Sequence, residues 1–347
     1  MDTSRRAIKV LIVDDSAIVR KVLSETISAQ SDMEVVGVAP DPYIARDKIL
    51  ALQPDVLTLD IEMPRMDGIT FLKKLMAYHP MPAVIISSLG QASSETTLEA
   101  LRYGAVDVIA KPGGPYSVGE LRLSLPDKIR AAASARVRKY TADRPAQPPA
   151  VDTKIAFRQN AIIAIGASTG GTEAIREVLT DLPANSPGIV VTQHIPQVFS
   201  AAFASRLNSI CKMEVKEAAD GDEVKPGRAL IAPGNFHMLV RRFGNSYRVQ
   251  VQDGPRVCYQ RPSVDVMFAS VADAVKERAL GVLLTGMGSD GAHGLLRMKN
   301  AGAKTIAQDE ESCVVYGMPR EAVKLNAAEQ VLSLSAIPRA IVKFASA

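Results

Sequence analysis

The sequence predicts an α/β protein built from two parallel-sheet domains. Short apolar runs such as "IKVLIV" and "GIVVTQ" recur along the chain with amphipathic segments between them. Strands that alternate with helices belong to βαβ units, whose sheet is covered on both faces. The alternation occurs twice, before and after a stretch rich in proline and alanine, "TADRPAQPPAVDTK". A length of 347 residues suits roughly two domains at about 100–200 residues each.

In the first domain, residues 1–125, the strands are "IKVLIV", "EVVGV", "VLTL", "AVIIS" and "VDVIA". Five such units predict a flavodoxin-like, doubly wound sheet. Composition then changes. "KIRAAASARVRKY" reads as a basic, alanine-rich helix with Lys128, Arg130, Arg136, Arg138 and Lys139 on a solvated face. The proline-containing run after it reads as an extended spacer, and residues 126–154 are assigned to the linker. In the second domain, residues 155–347, "AIIAIG", "GIVVTQ", "ALGVLLTG" and "AKTIAQ" read as parallel strands. Between Lys212 and Asp253, "RALIA", "HMLVRR" and "YRVQVQ" alternate with Pro-Gly, Gly-Asn and Phe-Gly-Asn turns, which predicts an antiparallel insertion beside a doubly wound sheet.

Bulk properties narrow the function classes. A hydrophobic content of 47% with 22% charged residues is that of an ordinary globular protein. The absence of tryptophan argues against a base-stacking platform or a carbohydrate cleft, and a net charge of only +4 gives no reason to expect a nucleic-acid partner. Cys211, Cys258 and Cys313 lie far apart with no C-x-x-C spacing, so reduced thiols are expected. The opening "MDTSRRAIKVLIVDDS" is too short in its apolar part and too acidic after it for a signal peptide. No apolar run approaches the ~20 residues of a membrane helix, so no membrane insertion and a cytoplasmic location are expected.

Chemistry gathers at the predicted strand ends. Asp14 and Asp15 follow the first strand, Asp60 ends the third, Ser87 the fourth, and Lys111 follows the fifth. Ligands of a doubly wound sheet bind at those ends. Three carboxylates beside one lysine suit a hard cation such as Mg2+ and a transferred phosphoryl group. In the second domain "IIAIGASTGG" runs a strand into small residues. It lacks the second glycine of a dinucleotide fingerprint and the lysine of a P-loop. Gly166 to Gly170 instead fit G-x-S-x-G, a serine on a sharp strand-to-helix turn, with an ordinary βα turn as the alternative.

A nucleophilic Ser168 needs a histidine base and an orienting carboxylate. The chain has only four histidines. His79 lies in a loop of the first domain and His237 in the insertion. His293 follows Asp290 by three residues at a helix start, where a local cap contact accounts for it. His194 stands just past the second parallel strand and Asp290 just past another, so Ser168, His194 and Asp290 can meet on one sheet edge. Their order differs from the Ser–Asp–His order of α/β-hydrolases, which excludes that fold.

"LIVDDS", "TLDIEMPRMDG" and "AKP" resemble a response-regulator receiver domain over the whole first domain. The resemblance implies phosphorylation at Asp60, metal binding by Asp15, Asp60 and the Glu62 carbonyl with Asp14 alongside, and phosphoryl contacts from Ser87 and Lys111. It departs at Val108, where many receivers carry an aromatic switch residue. The second domain resembles the CheB family of chemotaxis protein-glutamate methylesterases through "IGASTGGTEAI", "TQHIP", "IAPGNFHM", "RPSVDVMF", "LTGMGSDGA" and "ESCVVYGMPREA". That resemblance implies ester hydrolysis, and glutamine deamidation, on a chemoreceptor's cytoplasmic domain. Ser168 would be the nucleophile, His194 the base and Asp290 its orienter, with backbone N–H groups near Thr169 and Met287 as oxyanion donors. The esterase would need no cofactor, and Mg2+ would belong to the receiver, phosphorylated by a CheA-type histidine kinase. A receiver joined to a DNA-binding output is the alternative, although the second half lacks a compact helix-turn-helix signature.

Overall fold

The computed structural model describes residues 6–88, 90–111, 118–137, 157–158 and 160–346. The chain divides into two compact units, Met1–Arg144 and Pro145–Ala347. Arg138, Lys139 and the proline-containing run of the linker lie outside the described residues.

The first unit runs β1 (Ile8–Val13), α1 (Ala17–Ser28), β2 (Met33–Ala39), α2 (Pro42–Leu52), β3 (Val56–Asp60), α3 (Gly68–Tyr78), β4 (Ala83–Ser87), α4 (Gln91–Arg102), β5 (Asp107–Ala110) and α5 (Val118–Ala133). Its five strands are parallel in the order β2-β1-β3-β4-β5. β3, β4 and β5 are buried along their whole length, which is why their sequences are continuous apolar runs rather than alternating ones. Polar residues at the strand exits start the helices: Ser16, Asp41 and Asp67 cap α1, α2 and α3 through their side chains.

The unit extends further than composition suggests. α5 continues to Ala133, so residues 126–133 belong to this unit rather than to a linker. Leu125, Ile129, Ala131 and Ala132 are buried, Arg130 forms a bidentate pair with Asp32, and Lys128 pairs with Asp107. The basic residues that mimic a solvated linker helix are partly spent on these contacts.

The second unit runs β6 (Ile162–Ala167), α6 (Gly171–Asp181), β7 (Gly188–Gln193), α7 (Gln197–Ile210), β8 (Glu214–Glu217), β9 (Glu223–Val224), β10 (Arg228–Ile231), β11 (His237–Phe243), β12 (Ser246–Gln252), α8 (Val264–Ala274), β13 (Ala279–Leu283), α9 (Ala292–Asn300), β14 (Lys304–Gln308), α10 (Met318–Lys324), β15 (Gln330–Leu332) and α11 (Ile337–Ser346). Seven strands form one sheet in the order β15-β14-β13-β6-β7-β10-β8. The antiparallel insertion is smaller than its turns suggest. β8 and β10 pair in parallel within the main sheet, and among the described strands only β9, β11 and β12 are antiparallel. "RALI" is buried at three of its four positions, as an interior strand requires, whereas β11 ends in three exposed residues. Gly244, at φ +60°, opens the two-residue turn from β11 to β12.

The chain leaves β6 toward β7 and later crosses to β13 on its other side. That reversal is a switch point, where the exits of neighbouring strands open a crevice. Ala167 pairs with Gln193, and Gly166 with Leu283, so β6, β7 and β13 stop nearly level. α8 packs beneath with Phe268 fully buried, a side chain whose burial stabilises by about 1.5–3 kcal/mol.

Candidate active site

Ser168 is the first residue beyond β6, and its main chain is tied down at both ends. Its amide donates to the Thr285 carbonyl at 3.0 Å, and its carbonyl accepts from the Gly171 amide at 2.7 Å and from Gln193 Nε2 at 2.8 Å. Gly170, at φ +76°, makes the left-handed step into α6. The Thr285 hydroxyl accepts from the Val315 amide at 2.9 Å and lies 3.1 Å from the Thr169 carbonyl, bracing the turn from the β13 side. A Cβ on Gly286 would stand 2.6 Å from the Ser168 Cβ, so only glycine fits against the serine there.

His194 follows β7 and is 8% exposed. Its Nε2 is 2.8 Å from Asp290 Oδ2. An ionised carboxylate can only accept, so the neutral ring carries its proton on Nε2 and its lone pair on Nδ1. Nδ1 is buried and has no hydrogen-bond partner among the described residues. Its lone pair is open to any hydroxyl brought beside it.

Asp290 is 2% exposed and accepts from four donors. Besides His194 these are the Ser263 hydroxyl at 2.8 Å and the Val264 and Asp265 amides at 2.7 and 3.0 Å. The amides are the first of α8, whose positive dipole end favours an anion. Burial pushes the carboxyl upward, but the His194 contact, the Asp265 amide and the Ser263 hydroxyl outweigh it and hold Asp290 below the ordinary aspartate value. Asp290 therefore stays ionised. Cys258 and Asp265 lie close enough to Asp290 to suggest a metal cluster, but Asp290 is already saturated by these donors.

The three residues singled out from the strand ends thus stand beyond three adjacent strands, Ser168 and His194 directly after β6 and β7 and Asp290 seven residues past β13. The structure joins His194 to Asp290, while the Ser168 hydroxyl, 9% exposed, makes no hydrogen bond among the described residues. Catalytic hydrogen bonds often tighten only when substrate arrives. Of the expected oxyanion donors, the Met287 amide lies in the loop after β13 and is unbonded among the described residues, and the Thr169 peptide is fixed through its carbonyl, which accepts from the Thr285 hydroxyl. His293 is exposed in the first turn of α9, whose N-cap residue Gly291 has no side chain to cap with, and His293 makes no hydrogen bond to Asp290 among the described residues, so the expected cap contact is not made. Ser263 and Gln193 escaped the sequence reading. Ser263 carries a legible N-cap signal, but nothing local points it at Asp290.

In the first unit, Lys111 Nζ lies 2.6 Å from Asp60 Oδ2 and 3.3 Å from Asp14 Oδ2. Burial pushes Asp60 up to about 6 despite the Lys111 hydrogen bond and the Glu62 amide. Burial likewise raises Asp14, although Lys111 opposes it. For Lys111, burial alone would lower the amine, but Asp60 and Asp14 more than offset it. Asp14 Oδ2 is buried with only the Lys111 ammonium, at 3.3 Å, beside it, and the Asp14, Asp15 and Asp60 carboxylates converge within 4.8 Å. This oxygen-only set, three carboxylates facing a single ammonium, fits a hard divalent cation. The Glu62 side chain accepts from Ser88, Ser87 accepts from Thr97 at 2.7 Å, and Val108 is buried in β5.

Comparison with known proteins gives two family matches, the response regulator receiver domain over residues 10–120 and the CheB methylesterase over residues 163–341. The chain is 58% identical over 338 residues to "Protein-glutamate methylesterase/protein-glutamine glutaminase 2" of Syntrophus aciditrophicus, covering 97% of this chain and 98% of that protein. It is 54% identical over 349 residues to the corresponding protein 5 of Anaeromyxobacter dehalogenans, covering 97% and 96%. The crystal structure of the Thermotoga maritima CheB methylesterase catalytic domain aligns with a TM-score of 0.52 at 38% identity, over 53% of this chain and 97% of that one. These matches favour the esterase over the DNA-binding output.

Proposed function

The chain belongs to the CheB methylesterase family, with a receiver domain ahead of the catalytic domain, and from that membership we propose a phosphorylation-activated protein-glutamate methylesterase and protein-glutamine glutaminase of bacterial chemosensory adaptation. The substrate is a glutamyl γ-methyl ester on the cytoplasmic domain of a chemoreceptor. The observation that supports a serine hydrolase best is the buried His194–Asp290 pair beside the Ser168 turn, with His194 Nδ1 left as a free base.

In this mechanism His194 Nδ1 takes the proton of Ser168 as Oγ bonds to the ester carbonyl carbon. Asp290 keeps Nε2–H in place and stabilises the imidazolium. Negative charge gathers on the former carbonyl oxygen, where the Thr169 and Met287 amides are suited to donate. The tetrahedral centre then releases the methoxy group, which takes the proton from His194 and leaves as methanol. Water, deprotonated by Nδ1, attacks the acyl-serine and yields glutamate and free Ser168. With a glutamine substrate the leaving group is ammonia.

In the receiver, Asp60 accepts a phosphoryl group from a CheA-type histidine kinase, forming a P–O bond as the donor P–N bond breaks. Asp14, Asp15, Asp60 and the Glu62 carbonyl would hold Mg2+, which supplies charge neutralisation at the transferring oxygens. Lys111, already turned to Asp60, and Ser87 bind phosphoryl oxygens, with no aromatic partner at Val108.

A serine-directed fluorophosphonate tests the nucleophile. It should label Ser168 in the full-length chain and react far more slowly with His194→Ala. Labelling that survives unchanged in Ser168→Ala would place the nucleophile elsewhere.

A further inference from the structure

His237, the first residue of β11, is 3% exposed, and no step of the ester hydrolysis uses it. Both ring nitrogens are nonetheless engaged. Nδ1 accepts from the Ser263 amide at 3.2 Å, and Nε2 is 2.9 Å from the Pro255 carbonyl. An amide N–H only donates and a carbonyl only accepts, so the ring is neutral with its proton on Nε2. The anchored amide is the first one this turn offers, because Pro262 has no N–H.

Ser263 faces the active site with its other polar group. Its hydroxyl donates to Asp290 Oδ1 at 2.8 Å and caps the Val266 amide at 3.4 Å. All of Asp290's donors other than His194 come from residues 263–265. A shift of this one turn would therefore rotate the carboxylate, and with it the hydrogen bond to His194. His237 holds the outer end of the turn.

We propose that His237 is a positioning residue for the esterase: by accepting the Ser263 amide at Nδ1 it fixes the start of α8, and so the angle at which Asp290 meets His194. The proposal rests on the hydrolase reading above. It makes His237 part of a relay from the β11–β12 hairpin to the base, outside contact with substrate. Small misplacements at this distance from the chemistry cost large factors in rate.

The test compares His237→Asn, His237→Gln and His237→Leu in the full-length chain. An asparagine Oδ1 can replace Nδ1 and accept the Ser263 amide, whereas glutamine reaches toward Pro255 and leucine replaces neither bond. Methanol release from methylated receptor gives kcat and KM, and proton NMR of 15N-histidine-labelled protein follows the His194 Nε2–H signal. His237→Leu and His237→Gln should lower kcat by about 10- to 100-fold with KM nearly unchanged, and shift or broaden the His194 signal. His237→Asn should recover most of the rate and restore that signal. If leucine prevents folding, the asparagine–glutamine pair decides. Equal activity in those two, or an unmoved His194 signal in a slow variant, overturns the proposal. Failure of the hydrolase reading shows differently, as undiminished activity in Ser168→Ala.

Discussion

His194 Nε2 stands 2.8 Å from Asp290 Oδ2, so the nitrogen left to act as the base is Nδ1. That polarity is the opposite of the arrangement in which a carboxylate binds Nδ1 and the base is Nε2. Either nitrogen can serve, because the reaction requires only that one be held by an acceptor and the other be free. It follows that the acceptor character of Asp290 sets the tautomer.

Asp290→Asn is therefore expected to keep the fold and lose the reaction. An amide NH2 facing Nε2 would favour the tautomer with the proton on Nδ1, where Ser168 needs a lone pair. A drop in kcat of about 10³–10⁴-fold is expected, as for carboxylate-to-amide changes in serine hydrolases generally. Methanol release by a variant with unchanged circular dichroism measures it. Activity within tenfold of the parent would contradict the tautomer argument.

Gly286→Ala probes the close approach behind Ser168. The new methyl would stand 2.6 Å from the Ser168 Cβ and 2.4 Å from Met318 Sδ. The serine must move, so kcat should fall by about 10²-fold or more, with destabilisation of about 1–3 kcal/mol. Calorimetry and methanol release together check this. A fully active, equally stable variant would show that the turn yields freely.

Asp60 predicts a pH-dependent stability of the first unit. Its folded value of about 6 lies above the ordinary aspartate value. Between roughly pH 4 and 6 the folded state holds a proton that the unfolded chain has released, so stability falls as pH rises through that window. Asp60→Asn removes the term. Without divalent metal it should be more stable than the parent at pH 7 by on the order of 2 kcal/mol, with the gain vanishing toward pH 4. A gain that is independent of pH would mean that buried charge is not its cause. The same variant should lose the response of methylesterase activity to a small phosphodonor.

Mg2+ should raise the melting temperature of the parent's first unit, because three carboxylates converge there with only the Lys111 ammonium between them. At a hundredfold excess over the dissociation constant the stabilisation is about 2.7 kcal/mol. Asp14→Asn with Asp15→Asn should abolish the shift. A shift that persists in that double variant would move the metal away from these carboxylates.

Much of this architecture is legible before any coordinates, and the reason is physical. Strands buried on both faces announce themselves as apolar runs, and parallel strands end on one edge. His194 and Asp290 could thus be paired although 96 residues separate them. What escaped depended on contacts that sequence does not encode locally. β10 sits among turn signals, yet it joins the parallel sheet, paired with β7 on one side and β8 on the other. The basic end of α5 resembles a solvated helix until Arg130 meets Asp32. Ser263 reads as a cap, but its second bond reaches a carboxylate 27 residues away.

Ser168, served by His194 and Asp290, is proposed to hydrolyse receptor methyl esters. The most direct measurement is methanol release from methylated chemoreceptor membranes by the full-length chain and by Ser168→Ala, with folding confirmed by circular dichroism. Ready release by the parent is expected, with loss of nearly all of it in the variant, since members of a triad act as a unit. A folded Ser168→Ala protein that releases methanol at a rate near the parent's would contradict it.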